Sequence, residues 1–291
     1  MSETASQELG FVNQHVVEVS RGERFEFGKN WASFLGVLDE QRITQAEQSL
    51  RDMLGVDDLR GRSFLDIGSG SGLFSLAARR LGASVFSFDY DPQSVACTLE
   101  LRLRYFADDA QWRVATGSVL DAGYMAGLPR FDVVYSWGVL HHTGAMWAAL
   151  EAAADRVAPG GQLFIAIYND QGAWSRRWHA LKHIYNRLPA PLKKPYGALV
   201  MGGRESKRLC GAILRGRYAA YARGIRNYSA TSRRGMNYRH DLIDWIGGYP
   251  FEVAKPEQIF DFHRLRGFEL QRLLTCAGGI GCNEYVFKRR E

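Results

Sequence analysis

The fold is decided by the stretch Phe64-Leu65-Asp66-Ile67-Gly68-Ser69-Gly70-Ser71-Gly72. Apolar residues around one acid run into three glycines at alternate positions, and apolar residues at helical spacing follow. This pattern predicts a buried strand, a tight turn and the start of a helix. Glycines permit positive φ and a close approach of the backbone to a ligand, and the first turn of a helix presents unpaired N–H groups. The stretch therefore favours a cofactor site over a purely structural turn.

Short apolar runs alternate with helical patterns on both sides of this stretch, which indicates a parallel sheet covered by helices. The predicted strands are Ser63–Ile67, Ser84–Phe88, Gln111–Thr116, Phe131–Ser136, Gln162–Tyr168, Phe268–Leu274 and Glu284–Lys288. The predicted helices are Asp39–Leu54, Gly72–Leu81, Pro92–Phe106, Ala145–Val157 and Pro256–Leu265. Because few residues separate the last two strands, we expect them to form an antiparallel hairpin. The sequence thus predicts an α/β fold.

Length, composition and cysteine usage are those of an intracellular globular protein. The 291 residues are 46% hydrophobic and 23% charged, and they are enough to bury a full core. The four cysteines form no Cys-x-x-Cys pair, so neither a zinc knuckle nor a disulfide framework is predicted, and no other ligand spacing indicates a metal. The N-terminus lacks a signal pattern, and no run approaches the roughly 18 apolar residues of a membrane span. We expect a cytoplasmic protein, soluble or peripheral.

Charge separates one region from the rest of the chain. Residues 171–239 contain sixteen Lys and Arg against the single acid Glu205, although the whole chain carries only +6. This region also interrupts the alternation of strands and helices, so we interpret it as a mostly helical insertion, broken around Pro189–Pro195. The predicted parts are an N-terminal lid or cap over 1–55, a cofactor-binding core over 56–170, a basic substrate-side insertion over 171–250, and the C-terminal part of the core over 251–291.

The spacing of the glycines distinguishes two kinds of cofactor loop. Dinucleotide-binding proteins prefer Gly-x-Gly-x-x-Gly, whereas this chain has Gly68-x-Gly70-x-Gly72. The stretch from Asp66 to Gly72 resembles the first motif of class I S-adenosylmethionine-dependent methyltransferases. Three later segments resemble further motifs of that family, and they are Gly117-Ser118-Val119-Leu120-Asp121, Phe131-Asp132-Val133-Val134 and Ala158-Pro159-Gly160-Gly161.

The resemblance covers roughly residues 60–170 and 256–291. Within the family, the chain is loosely similar to the ubiquinone O-methyltransferase-like group of small-molecule enzymes. It implies a Rossmann-like seven-stranded, mostly parallel sheet with a C-terminal antiparallel hairpin, to which this chain adds a helical insertion. It also implies S-adenosylmethionine as the cofactor and S-adenosylhomocysteine as the product.

The resemblance assigns roles at the cofactor. Asp89 matches the acid that holds the ribose hydroxyls, where one carboxylate accepting two donors makes a charge-assisted fork. Tyr90 stands where a side chain packs on adenine. Ser118 occupies a position where many members carry an acid, so we expect backbone groups and Ser118 to contact adenine, with Asp121 further away. The predicted cofactor-binding residues are Asp66, Gly68, Ser69, Gly70, Gly72, Asp89, Tyr90, Ser118, Val119, Trp137, Phe25 and Trp31.

Two of those residues, Phe25 and Trp31, belong to an N-terminal aromatic cluster with two interpretations. The cluster either forms a lid over the bound cofactor or packs onto the core as a hydrophobic staple. Sequence does not separate these alternatives.

Two adjacent histidines, His141 and His142, follow the fourth predicted strand. An imidazole titrates near neutral pH, so either histidine is a candidate general base, the alternative being structural packing. His141 is preferred, because His142 matches the position of a structural histidine in similar methyltransferases. We expect His141→Ala to lower turnover while cofactor binding survives.

The acceptor side is predicted from position in the fold. Ligands of parallel sheets bind beyond the carboxyl ends of the strands, which nominates Tyr168 and Asn169. Three further candidates come from the polar and aromatic stretch between Gly235 and Pro250, which is alternatively core packing. The candidates in that stretch are Tyr238, His240 and Tyr249.

The sequence therefore predicts an S-adenosylmethionine-dependent methyltransferase, with O-methylation of a small, lipid-linked or saccharide-type metabolite as the main hypothesis. The alternatives are N-methylation of an amine, a methyltransferase-like protein that acts on nucleic acid through its basic insertion, and a protein that binds the cofactor without transfer. The insertion itself is interpreted as a solvated cap, as a contact for a phosphate-bearing acceptor or an anionic membrane surface, or as a contact for RNA or DNA.

Overall fold

The computed structural model describes residues 3–226, 245–279 and 281–291. Its strands are β1 (Ser63–Ile67), β2 (Ser84–Asp89), β3 (Trp112–Thr116), β4 (Phe131–Trp137), β5 (Val157–Tyr168), β6 (Phe268–Leu274) and β7 (Cys282–Arg289). They form one seven-stranded sheet in the order β3-β2-β1-β4-β5-β7-β6. The first five strands are parallel, and β7 runs antiparallel to both of its neighbours. The predicted mostly parallel sheet with its C-terminal antiparallel hairpin is confirmed.

Helices cover both faces of the sheet. The described helices are α1 (Glu3–Ser20), α2 (Phe27–Leu35), α3 (Glu40–Leu54), α4 (Leu73–Arg80), α5 (Pro92–Phe106), α6 (Ala122–Gly127), a 3-10 turn (Leu140–His142), α7 (Met146–Asp155), α8 (Ala173–Arg187), α9 (Ala190–Leu214), α10 (Tyr218–Arg226) and α11 (Pro256–Arg264). Phe64 belongs to the core beneath α3 and α4, whereas the next residue, Leu65, belongs to the core beneath α7 and α11. Since successive strand residues point to opposite faces, β1 is apolar throughout and lies between two cores.

Local signals explain where the core helices begin and end. The Asp39 carboxylate accepts a hydrogen bond from the backbone N–H of Arg42 at 2.9 Å and caps α3, and Gly55 ends that helix with φ +67°. Asp91 caps α5 by accepting from the N–H of Gln93 at 2.9 Å, and a proline follows as the first helical residue. Side-chain caps and glycine stops of this kind fix helix ends from local sequence alone.

Most boundaries lie within two residues of the prediction, and the larger differences are at the start of β5 and around Pro189. The sequence predicts a strand that starts at Gln162, after the Pro159-Gly160-Gly161 segment, but β5 already begins at Val157. The register with β4 shifts there, since Phe131 faces Val157 and Val133 faces Gln162, so the segment is an irregularity inside the strand. The break between helices predicted around Pro189–Pro195 is shorter in the structure. Helix α8 ends at Arg187, and α9 begins at Ala190 and continues through Pro195.

The insertion forms a small core of its own beyond the carboxyl ends of the strands. Trp178 of α8 and Met201 of α9 are buried there with Ile246 and Phe251. Tyr168, the last residue of β5, packs against this cluster and connects it to the sheet. Among the helices that the structure describes, none combines the length and the apolar character needed to cross a membrane.

Candidate active site

The glycine loop lines a cavity of about 600 Å³ at the carboxyl ends of β1, β2 and β4. The N–H groups of Gly68 and Ser69 both donate to the carbonyl of Phe88, at 2.8 and 3.1 Å. Gly68 has φ +77°, and a Cβ on it would lie 2.4 Å from Cγ1 of Val139. A side chain at this position would strain the backbone and clash with Val139. Only glycine therefore allows this close approach between the loop and Val139.

Asp89 ends β2 beside this loop and lines the same cavity. One carboxylate oxygen accepts from the N–H of Gly70 at 2.9 Å, and the other accepts from the N–H of Asp91 at 2.9 Å. Burial raises the pKa of Asp89 to about 7, and the Asp91 carboxylate acts in the same direction. Because a carboxylate has about four acceptor positions, the two backbone contacts leave capacity for further donors.

Asp66 also contributes to the cavity wall, but its carboxylate is engaged inside the protein. The Ser75 hydroxyl donates to Asp66 at 2.5 Å and lies 2.6 Å from the Ser87 hydroxyl, which accepts from the Trp112 indole at 3.0 Å. Since indole only donates and the Ser75 proton goes to Asp66, Ser87 donates to Ser75. Burial raises the pKa of Asp66 to about 7. Asp66 therefore connects the end of β1 to α4, the helix that follows the glycine loop.

The predicted adenine side lies where β2 and β3 end. Ser118 and Val119 line the cavity, and the Ser118 hydroxyl accepts from the N–H of Leu120 at 3.2 Å. Asp121 caps α6 by accepting from the N–H of Tyr124 at 2.7 Å. The Asp121 carboxylate is thus engaged at the start of a helix.

The N-terminal helices complete this half of the cavity. Tyr90 packs edge-on against Phe11 of α1, and the Arg24 guanidinium lies 4.9 Å from the centre of the Tyr90 ring. Phe25 and Trp31 both line the cavity, and the Trp31 indole nitrogen lies 3.0 Å from where a Cβ on Gly70 would stand. The aromatic cluster therefore faces the cavity.

The 3-10 turn gives the two histidines different surroundings. Successive residues of such a turn are about 120° apart, so their side chains cannot share one direction. His142 lines the cavity, whereas His141 is fully buried and accepts at Nδ1 from the N–H of Tyr168 at 3.4 Å. This geometry favours His142 as the candidate catalytic histidine and disagrees with the preference for His141.

The environment of His142 fixes its protonation. Its Nδ1 lies 2.6 Å from the carbonyl oxygen of Pro250, and its own carbonyl accepts from Arg24 at 3.0 Å. Burial lowers the pKa of His142 to about 3, and the positive charge of Lys182 acts in the same direction. At neutral pH the ring is uncharged. Because a carbonyl can only accept, Nδ1 carries the proton and Nε2 carries the lone pair.

The predicted acceptor residues are not all brought together. Tyr168 lines the cavity. Asn169 instead donates to the carbonyl of Gly279 at 3.5 Å and accepts from Asn283 at 3.1 Å, which ties the end of β5 to the β6–β7 connection. Tyr249 lines a separate cavity of about 300 Å³, where its hydroxyl lies 3.0 Å from Nδ1 of His183. The predictions for Tyr238 and His240 lie outside the described residues.

A family model described as a methyltransferase domain matches residues 38–193. The chain belongs to this methyltransferase domain family. The family predicted from the glycine loop and the later motifs is thereby confirmed, together with its Rossmann-like fold.

Curated relatives of this member of the methyltransferase domain family differ in what they methylate. One is a ribosomal protein L11 methyltransferase from Xanthomonas euvesicatoria pv. vesicatoria, 34% identical over 122 residues, which cover 40% of this chain and 35% of the relative. Another is a ubiquinone biosynthesis O-methyltransferase from Brucella ovis, 32% identical over 120 residues, which cover 41% of this chain and 46% of the relative. The chain thus spans less than half the length of these relatives.

Among solved structures, a magnesium protoporphyrin IX methyltransferase from Synechocystis PCC 6803 with bound SAH is similar at a TM-score of 0.49 and 14% identity. The match covers 86% of this chain and 84% of that chain.

Several cavity residues of this methyltransferase chain were missed in the sequence. They are Gln14, His15, Glu18, Arg24, Arg204, Arg208 and Glu284. Arg204 and Arg208 lie four residues apart on α9, so their helical spacing within the basic insertion was the available signal. No sequence signal pointed to Arg24. Its side chain contacts Glu18 nearby and the carbonyl of His142, which lies more than a hundred residues away in the chain.

Proposed function

We propose that this chain transfers the methyl group of S-adenosylmethionine to a small-molecule acceptor, with a hydroxyl oxygen as the receiving atom. The observation that carries the proposal is the Asp89 carboxylate, held by the N–H groups of Gly70 and Asp91 at the edge of the glycine-loop cavity. Its remaining acceptor positions suit the two neighbouring hydroxyls of a ribose. The cavity of about 600 Å³ beside the glycine turn has room for a ligand tail along the backbone.

The bound cofactor supplies an electrophilic methyl group on a sulfonium, so the protein's task is to orient the acceptor and to receive its proton. His142 is our candidate for this task, because it lines the cavity. Its Nδ1 proton is held by the Pro250 carbonyl, so Nε2 accepts a hydrogen bond from the acceptor hydroxyl. In this arrangement Nε2 of His142 would orient the hydroxyl and accept its proton, while the cofactor would supply the methyl group and leave as S-adenosylhomocysteine.

A second candidate is methylation of a neutral amine. The low pKa of His142, about 3, favours it because such a weak base orients a donor better than it removes a proton. In that case His142 accepts a hydrogen bond from the N–H of the acceptor and holds the nitrogen lone pair in line with the methyl group.

The acceptor class within the proposal is a small metabolite, free or linked to a lipid or a saccharide. Arg204 and Arg208 from α9 line the cavity, and Arg208 also pairs with Glu205 at 3.0 Å. Arg204 lies 4.0 Å from the same carboxylate, beyond hydrogen-bond distance. The two guanidinium groups suit an acceptor that carries an anionic oxygen group, such as a carboxylate or a phosphate.

The test has a binding arm and a transfer arm. S-adenosylhomocysteine is titrated into the protein by calorimetry, and labelled S-adenosylmethionine is then incubated with protein and host extract. We expect saturable binding and label in the small-metabolite or lipid fraction. Label in RNA or in protein would show that the acceptor is a macromolecule and not a small metabolite. Binding of the cofactor without label in any fraction would indicate a protein that binds the cofactor without transferring its methyl group. Failure to bind S-adenosylhomocysteine would overturn the proposal.

A further inference from the structure

The basic insertion carries a surface that methyl transfer does not explain. Its described helices α8 to α10, residues 173–226, contain thirteen Lys and Arg against the single acid Glu205. Only Arg204 and Arg208 among these bases line the main cavity. The same helices expose many large apolar side chains, which a solvated basic cap has no reason to present.

The exposed apolar side chains of α9 share one face of the helix. Leu192 is 51% exposed, Leu199 75%, Ile213 56% and Leu214 87%. At about 3.6 residues per turn these four positions fall within one side of α9, opposite Met201, which is 6% exposed and packs into the insertion core. Helix α9 therefore has two apolar sides, one buried against the protein and one facing outward.

The connection from α9 to α10 holds the end of this face in a fixed shape. Gly216 has φ +64°, its N–H donates to the carbonyl of Ile213 at 2.9 Å, and the N–H of Arg217 donates to the carbonyl of Ala212 at 2.7 Å. This pair of hydrogen bonds is a Schellman motif, which closes a helix end tightly. The tip formed by residues 213–218 thus presents Ile213, Leu214 and the 60% exposed Tyr218 together with Arg215 and Arg217.

We propose that the outer face of α9 and the tip 213–218 dock this protein on an anionic lipid membrane. The charge of the insertion is complementary to a surface of anionic headgroups, and each Lys or Arg near such a surface strengthens binding by about fivefold. The aliphatic side chains at the tip enter the boundary between headgroups and acyl chains. A face of this kind needs both contributions, because a few apolar side chains alone give only weak membrane binding.

Two other occupants fit the surface less well. Nucleic acid recognition uses aromatic side chains on which bases stack, whereas the outer face of α9 presents leucine and isoleucine, and Tyr218 is the one aromatic residue of the tip. A second copy of the chain would bring two strongly basic surfaces together, and like charges across an interface oppose association.

Docking places the cavity close to the bilayer. Arg204 and Arg208 line the cavity, and Leu214 follows on the same helix. At about 1.5 Å per residue, Leu214 lies about 15 Å along the axis from Arg204. This spacing suits an acceptor anchored in the membrane by a lipid tail. That last consequence depends on the proposed function, whereas the docking itself does not.

The experiment is co-sedimentation of the full chain with vesicles of phosphatidylglycerol and phosphatidylcholine, against vesicles of phosphatidylcholine alone. We expect binding to the anionic vesicles that weakens as salt shortens the screening length from about 10 Å at 0.1 M. Leu214→Ser should weaken that binding about tenfold, because it removes an inserting side chain. The double variant Arg215→Gln, Arg217→Gln should weaken it about 30-fold.

Matched controls carry the same substitutions elsewhere on the surface. Leu103→Ser changes a leucine of α5 that is 65% exposed, and Arg60→Gln changes an arginine whose side chain is 82% exposed. Both should bind vesicles like the unmodified protein. Equal binding to neutral and anionic vesicles, equal loss in the controls, preference for an RNA oligonucleotide, or self-association through this face would each overturn the proposal. Calorimetric binding of S-adenosylhomocysteine reports separately on the methyl-donor site.

Discussion

Asp89 and His142 stand in the same cavity but are held in different ways. Asp89 is bound by the N–H groups of Gly70 and Asp91, all within a few residues of the ends of β1 and β2. His142 is surrounded by Arg24 from before α2, Lys182 from α8 and the Pro250 carbonyl. The half of the cavity around Asp89, here the donor half, is built mainly from neighbouring strand ends, and the half around His142, the acceptor half, from distant segments.

The two halves differ in how freely their residues can vary. The donor half depends on backbone groups and on glycines with no room for a side chain, so changes there should affect cofactor binding directly. The acceptor half depends on an insertion with its own small core, so it can be rebuilt without disturbing the sheet. Substitutions should therefore separate cofactor affinity from methyl transfer.

The largest effect is expected at His142. His142→Gln should lower methyl transfer about 10²- to 10⁴-fold, because it removes the proton-accepting nitrogen from the cavity wall. The affinity for S-adenosylhomocysteine, measured by calorimetry, should not change. His263→Gln is the matched control, since His263 is also buried with Nδ1 bonded to a backbone carbonyl, but it lies in the core beneath α11. Equal loss of transfer in both variants would contradict a role for His142 in the acceptor half.

The next effect belongs to the donor half. Asp89→Ala should weaken binding of S-adenosylhomocysteine about 100-fold, because it removes two hydrogen bonds to a charged acceptor. Asp39→Ala is the control, since Asp39 caps α3 away from the cavity and its loss should lower the free energy of unfolding by about 1 kcal/mol without affecting affinity. An unchanged dissociation constant for Asp89→Ala would contradict a role for Asp89 in cofactor binding.

A smaller effect follows from pH. Burial raises the pKa of Asp89 to about 7, and the ribose contact requires the charged carboxylate. Affinity for S-adenosylhomocysteine should therefore be constant above pH 7 and fall below it, by up to about tenfold per pH unit. Calorimetry across this range checks the slope. Asp89→Asn should remove most of this dependence, whereas a slope that survives in the variant would assign it to another group, such as Asp66.

The smallest effect on transfer is expected at His141. His141→Ala removes a buried ring that packs 4.0 Å from the ring centre of Tyr168, so it should lower the free energy of unfolding by about 2 kcal/mol. Transfer per folded molecule should stay close to that of the unmodified protein, as measured with labelled cofactor. A loss of transfer as large as that of His142→Gln, with stability unchanged, would restore the original preference for His141.

The sequence predicted the donor half because its signals are local. The glycines of the loop, Asp89 at a strand end and Asp91 before a proline act on neighbouring residues, so spacing alone places them. Helix α1 was not predicted, because its sequence is polar. The role of His142 depends on Arg24, Lys182 and Pro250, and Asn169 turned out to bind Gly279. Contacts between residues so far apart in the chain leave no periodic pattern in the sequence, so they could not be predicted from it.

We propose above that the cavity beside the glycine loop is a methyl-donor site. The most direct measurement is a calorimetric titration of the protein with S-adenosylhomocysteine, in parallel with a dinucleotide cofactor and with the Asp89→Ala variant. We expect saturable binding of S-adenosylhomocysteine, no binding of the dinucleotide, and strong weakening in the variant. Absence of S-adenosylhomocysteine binding, or preferential binding of the dinucleotide, would contradict it.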